Sequence, residues 1–236
     1  MVEYRKNNTK QGGAKRMRTP EYKVIDMQTY TRKEHFQYFC SLAYPYAGMT
    51  VNVDVTELVT HQKRRGYSFY LLFMHAVALA ADEIPQLRQR IREGQIIEYT
   101  ACPTSHVELL ADETYTYCTL YHEQMDVKAY MKRALAARED SRKRSGLTES
   151  EDALAMYFIS SLPWVHYSSL IQPVGRQESN PRITWGKYEE DSGGRLQLPV
   201  TILVHHGLAD GLHMGLFYEK LKQRLTTLAV ELSKIK

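Results

Sequence analysis

The sequence predicts an α/β fold of the α+β two-layer sandwich kind, a mostly antiparallel sheet covered by helices. Three observations carry this. "MTVNVDVTEL" alternates apolar and polar side chains, the period of a strand with one buried face. Phe69, Leu72, Phe73, Ala76, Val77 and Ala80 recur at helical spacing. "RITWGKYEEDSGGRLQLPVTILV" reads as a long hairpin closed at Gly193 and Gly194, its second strand almost wholly apolar.

The elements follow in order. Residues 1–20, basic and almost free of large aliphatic side chains, cannot bury themselves and are expected to be a disordered extension, with one folded domain over 21–236. Val51, Val53 and Val55 share a strand face, and Thr56 is placed to cap a helix. The 69–81 segment predicts a buried helix, and Gly94 in "REGQIIEY" a turn into a strand. Val127, Tyr130, Met131, Ala134 and Leu135 predict one face of another helix, followed by a charged, exposed connection over 138–152. "LAMYFISSLPW" predicts a short buried strand. The last element is a helix with Leu212, Leu216, Leu221, Leu225, Leu228 and Leu232 along it.

Bulk composition narrows the function classes. With 43% hydrophobic and 25% charged residues the chain reads as a globular protein. A net charge of +4, much of it in the first eighteen residues, argues against nucleic-acid binding by the domain. Cys40, Cys102 and Cys118 are odd in number and lack CxxC spacing, which predicts free thiols and a cytoplasmic setting. No apolar run is long enough to span a bilayer, and none near the N-terminus resembles a secretory signal.

The segment "VTILVHHGLADGLHMGLF" concentrates the chemistry. An apolar strand expected to end at Val204 meets His205, His206 and Asp210 before a helix begins. A loop leaving a central strand is a rigid place for a site. A neutral imidazole there can take a proton from a hydroxyl near pH 7. Two other readings stand beside this one, a metal site and a purely structural turn. Zinc generally wants a third or fourth ligand at recognisable spacing, and no HExxH or CxxC is present.

"HHGLADG" resembles the HHxxxDG signature of the coenzyme A-dependent acyltransferases. "IDMQTYTRKEHFQYF", "MTVNVDVTEL", "ISSLPWV" and "ITWGKY" are similar, in order, to segments of the chloramphenicol acetyltransferase family. The resemblance runs from about residue 22 to the C-terminus and implies the CoA-dependent acyltransferase fold. It also implies acetyl transfer from acetyl-CoA to a small hydroxyl acceptor, no metal, and a homotrimer with active sites between subunits.

Position by position, the resemblance implies His206 as general base and Ser160 as the hydroxyl that stabilises the oxyanion. Thr184 would hold a water near the same intermediate. Asp210 would pair with Arg32 to brace the loop, and His205 would have no chemical role. Lys187, Tyr188 and Trp164 would meet coenzyme A. Tyr38, Phe39, Ser105 and Leu170 would line the acceptor pocket.

Departures fall on the acceptor side. Where the family carries Phe-Thr-Val-Phe-His, this chain has "SHVEL", so Ser105 and Glu108 are expected to replace an aromatic wall. The loop "SLAYPYAGM" lacks the family's Pro-Cys dipeptide, and Leu170 and Gln172 stand where a Phe and a Leu are expected. Ser68 stands where a coenzyme A-contacting lysine often lies, with Arg64 and Arg65 close by. Three functions remain: chloramphenicol acetylation, acetylation of another hydroxyl compound, or a non-catalytic acyl-CoA-binding relative. Joint retention of His206, Ser160, Thr184, Asp210 and Arg32 argues against the last.

Overall fold

A computed structural model describes residues 20–143, 152–175 and 178–235. The N-terminal extension, apart from Pro20, lies outside the described residues. The elements in chain order are β1 (Tyr22–Val24), α1 (Lys33–Cys40), β2 (Tyr46–Asp54), α2 (Thr56–Arg65), α3 (Phe69–Asp82), β3 (Gln89–Arg92), β4 (Gln95–Tyr99), β5 (Thr104–Leu109) and β6 (Tyr115–Leu120). There follow α4 (Val127–Arg142), β7 (Tyr157–Ser161), β8 (Arg182–Trp185), β9 (Glu189–Glu190), β10 (Leu196–His205) and α5 (Gly211–Lys234).

The main sheet has seven strands, in the order β2-β10-β8-β7-β5-β6 with β9 added to β10. A smaller sheet has the order β1-β4-β3. Pairings are antiparallel except β5–β7 and β7–β8, so the sheet is mostly antiparallel with a parallel insertion at β7. The helix α3 is apolar on all sides and packs within the core, where Leu71, Phe73 and Val77 are inaccessible to solvent. Phe217, Leu221 and Leu232 of α5 and Ile183 and Ile202 of the central strands join the same core.

Several local expectations are corrected. Thr56 is the first residue of α2 and not its cap, because Asp54 takes both its N–H and its hydroxyl, while the Thr56 oxygen accepts the Leu196 N–H. Strand β10 continues one residue beyond Val204, since His205 still pairs with Tyr46. Leu135, Leu212 and Leu216 face outward, at 50%, 69% and 44% exposure, although they continue the apolar spacing of their helices.

The charged connection begins later than expected. Helix α4 runs on to Arg142, because Arg138 and Arg142 turn back to a buried carboxylate, Glu108. Among the described residues no helix is long and apolar enough to cross a membrane, and Cys40, Cys102 and Cys118 are free thiols.

Candidate active site

The strand β10 is apolar because both of its edges are paired and its inner face meets the core; it delivers His205 and His206 at its end. A tight turn follows, in which the Leu208 and Ala209 N–H groups donate to the His205 carbonyl at 2.9 and 3.1 Å. Gly207 keeps this turn close, since a Cβ there would stand 3.2 Å from the His205 ring and press on it. The His205 Nδ1 accepts the Gly207 N–H at 3.2 Å. Burial, with His206 adding to it, pushes the His205 imidazole down to about 4, so it is neutral at pH 7.

His206 is held differently. Its N–H donates to the Pro45 carbonyl at 2.7 Å. Its ring stacks on Phe39, with centroids 3.8 Å apart and planes within 7°. Among the described residues Nδ1 is buried without a partner, which leaves Nε2 as the nitrogen to offer a substrate.

Asp210 ties this turn to α1. One carboxylate oxygen accepts the Leu212 N–H and caps α5, with His213 beside it at 2.8 Å. The other accepts from Arg32 Nη1 at 2.6 Å. Burial works against ionisation, yet the Arg32 bond and the nearby His213 overcome it and hold the carboxyl at about 2. The brace is bent on packing: Arg32 precedes α1, and α1 carries the Phe39 ring that stacks on His206.

Ser160 and Thr184 belong to a second constellation. Register places Ser160 opposite Thr184, Thr184 opposite Thr201, and Thr201 opposite Thr50, a row of hydroxyls across β7, β8, β10 and β2. Thr50 and Thr201 share a hydrogen bond of 2.8 Å. The loop 162–175 covers this row. Gly186 permits the approach, since a Cβ there would sit 2.6 Å from the Val165 carbonyl. Tyr167 donates to the Thr184 carbonyl and accepts from the Thr201 hydroxyl. The Thr184 hydroxyl itself donates to Gln172 Oε1 at 3.0 Å.

The two constellations do not meet within one chain. His206 is five residues beyond Thr201 along β10, and Ser160 is two strands across. At about 3.4 Å per residue and 4.8 Å per strand, His206 and Ser160 lie roughly 20 Å apart. Tyr38 and Phe39 accompany His206, with Tyr38 63% exposed and edge-on to Phe39. Ser105, on β5 in register with Phe158, lies on the Ser160 face, and Leu170 is on the loop beside Gln172.

Trp164 is 70% exposed and Lys187 is exposed nearby, their segments joined where the Lys187 N–H meets the Val165 carbonyl. Tyr188 is half-buried edge-on to Phe69. Ser68 caps α3 by accepting the Leu71 N–H.

Glu108 does not line a pocket with Ser105. Side chains alternate along β5, so residues three apart face opposite ways. Glu108 points to the helix layer, takes a bidentate bond from Arg138 at 2.6 and 2.8 Å, and also meets Arg142 and His106. Against the penalty of burial, His106 and Arg138 hold its carboxyl at about 2.

Several members of the site escaped the sequence: Phe39 as the ring under His206, His213 beside Asp210, Tyr167, and the Gln172 bond to Thr184. Thr201 left a signal, as the one hydroxyl inside an apolar strand. An open cavity of about 700 Å³ lies against His205, lined by Phe36, Leu42, Tyr44, Tyr46 and Val174 among others. His205 Nδ1 accepts the Gly207 N–H and Asp210 pairs with Arg32, and among the described residues no group of three or more His, Cys, Asp or Glu side chains is placed to hold a metal ion.

Comparison with known proteins agrees with this geometry. Residues 20–222 match the family described as chloramphenicol acetyltransferase. A chloramphenicol acetyltransferase of Proteus mirabilis is 27% identical over 85% of this chain and 93% of its own. A solved chloramphenicol acetyltransferase superposes with a TM-score of 0.73 at 26% identity, covering 86% of this chain and 99% of that one. A dihydrolipoamide acetyltransferase from Azotobacter vinelandii, 19% identical over 84% of this chain and 88% of its own, shares the fold with a TM-score of 0.59. With the histidine turn, its arginine brace and the strand order in place, the chain belongs to the chloramphenicol acetyltransferase family of acyltransferases.

Proposed function

We propose that this enzyme transfers the acetyl group of acetyl-CoA to a hydroxyl of chloramphenicol or a related small acceptor, in the cytoplasm, as a homotrimer. The observation that carries the reading is the clamped imidazole of His206, stacked on Phe39, with its backbone N–H on the Pro45 carbonyl and its Nδ1 buried without a hydrogen-bond partner among the described residues. A fixed base with one available nitrogen suits proton abstraction from a hydroxyl.

In the reaction, Nε2 takes the hydroxyl proton as the acceptor oxygen attacks the thioester carbonyl carbon. The Ser160 hydroxyl stabilises the tetrahedral oxyanion. Collapse breaks the carbon–sulfur bond, and His206 returns the proton to the departing thiolate, giving the acetyl ester and free coenzyme A. Arg32 and Asp210 position the base and take no proton. Lys187 and Trp164 offer a cation and an aromatic surface suited to coenzyme A.

The separation of His206 and Ser160 supports sites shared between subunits, because neither residue can reach the other's substrate atom within one chain. Leu212 and Leu216, outward on α5, and exposed Met49 on β2 are apolar surface available to a neighbouring copy. Free thiols suit a reducing compartment. Acetylation of chloramphenicol would place the enzyme in antibiotic resistance.

The test is thiol release from acetyl-CoA by the purified protein, first with chloramphenicol and then with a panel of alcohols. Release that depends on an added hydroxyl compound and vanishes in His206→Ala supports the proposal. Absence of release with every acceptor overturns it and favours the acyl-CoA-binding reading.

A further inference from the structure

Gln172 sits between exposed neighbours, Ile171 at 94% exposure and Pro173, yet turns its own amide inward onto the catalytic row. Its Oε1 accepts the Thr184 hydroxyl at 3.0 Å. Its Nε2 is buried and has no hydrogen-bond partner among the described residues. A buried amide N–H without a partner is expensive, and native structures rarely keep one unless something else satisfies it. Thr184 stands directly opposite Ser160 on the neighbouring strand, so the unpaired donor lies beside the place where the acceptor hydroxyl is acylated.

From this we propose that Gln172 determines acceptor specificity. Its Nε2 donates to an oxygen that the acceptor carries next to its reacting hydroxyl, which makes vicinal diols and similarly oxygenated alcohols the preferred class. The proposal rests on the acetyl-transfer reading above and narrows its substrate. The bond to Thr184 fixes the amide, because the Thr184 hydroxyl donates to Oε1 and so leaves Nε2 as the group that an acceptor oxygen can satisfy. An acceptor without that second oxygen would bury the N–H against hydrocarbon. Leucine at this position would impose no such demand, and the site would then take simple aryl alcohols equally well.

The experiment compares 1-phenyl-1,2-ethanediol with 2-phenylethanol, which share the phenyl body and differ by one hydroxyl. Both are assayed by thiol release from acetyl-CoA, and both are also titrated against the melting temperature with coenzyme A present. The unmodified protein is expected to prefer the diol by about 10- to 100-fold in kcat/KM, the range set by leaving one buried donor unpaired. Gln172→Leu should bring the ratio near unity, mainly by improving KM for the monoalcohol. A ratio unchanged in Gln172→Leu overturns the proposal, as does equal use of both alcohols by the unmodified protein. If neither alcohol is turned over while the diol alone raises the melting temperature, and Gln172→Leu abolishes that difference, the acetyl-transfer reading fails and the role of Gln172 stands.

Discussion

Arg32→Ala isolates the brace between α1 and the histidine turn. The Arg32–Asp210 bond is 2.6 Å long, with the two side chains 19% and 26% exposed. A fully buried pair broken on one side loses roughly 3–5 kcal/mol, whereas an exposed pair is worth about 0–1 kcal/mol. The carboxyl of Asp210 falls from its ordinary 3.8 to about 2, which corresponds to ~2.4 kcal/mol of preference for the ionised form. His213 supplies part of this and solvent screens the remainder, so Arg32→Ala should lose about 1–2 kcal/mol. At about 2–4 °C per kcal/mol for a domain of this size, the melting temperature should fall by roughly 2–8 °C.

The sign of the pH dependence follows. Asp210 has a folded pKa below its unfolded value, so its contribution is complete above about pH 4 and is lost as the pH falls toward 2. Thermal melts followed by circular dichroism should show the gap between the unmodified protein and Arg32→Ala closing over that interval. Asp210→Asn keeps the helix cap but not the charge, and should lose a similar amount at pH 7. Because Phe39 rides on the same helix, thiol release should also slow. An unchanged melting temperature at pH 7, or a gap that persists at pH 2, would refute the brace.

The other substitutions divide by constellation. His206→Ala should abolish thiol release with the fold intact, while His205→Ala, which removes a neutral buried ring that accepts the Gly207 N–H, should lower stability more than turnover; equal loss of turnover in both, with normal circular dichroism, would contradict the roles. Ser160→Ala should lower kcat by about 10²–10³. Unfolding His206→Ala and Ser160→Ala together and refolding the mixture should restore part of the activity, since some sites would then receive both intact halves; no recovery would argue against shared sites. Glu108→Ala should cost roughly 3 kcal/mol by stranding Arg138 beneath β5, without lowering KM for chloramphenicol. Denaturant unfolding and acceptor titration check the two halves of that expectation, and a lower KM would return Glu108 to the acceptor pocket.

Much of the fold was legible along the chain. Period-two alternation around Val51 and Val53 marked β2, helical spacing from Phe69 marked α3, and the glycine turn before "RLQLPVTILV" marked the central strand, because backbone geometry imposes those periods locally. The resemblance of "HHGLADG" and "ISSLPWV" to family motifs, and not periodicity, supplied the proposed base, carboxylate and oxyanion hydroxyl. The same alternation separates Ser105 from Glu108, which are an odd number apart on one strand and so lie on opposite faces.

Other features depended on which elements meet. The family resemblance implied the Arg32–Asp210 pair, which the structure shows, but the two residues are 178 positions apart and no spacing rule by itself joins them. The surroundings of Glu108 are decided by α4 crossing beneath β5, which turns an apparent pocket charge into a neutralised ion pair. The Gln172 amide acquires meaning only because Gly186 lets its loop settle onto Thr184. The distance between His206 and Ser160 is likewise a property of sheet order: strand and register set it, and neither motif carries a trace of the other's position. Periodicity is written residue by residue in backbone sterics, whereas pairing across the chain is selected by total burial and polar satisfaction, which only the assembled structure evaluates.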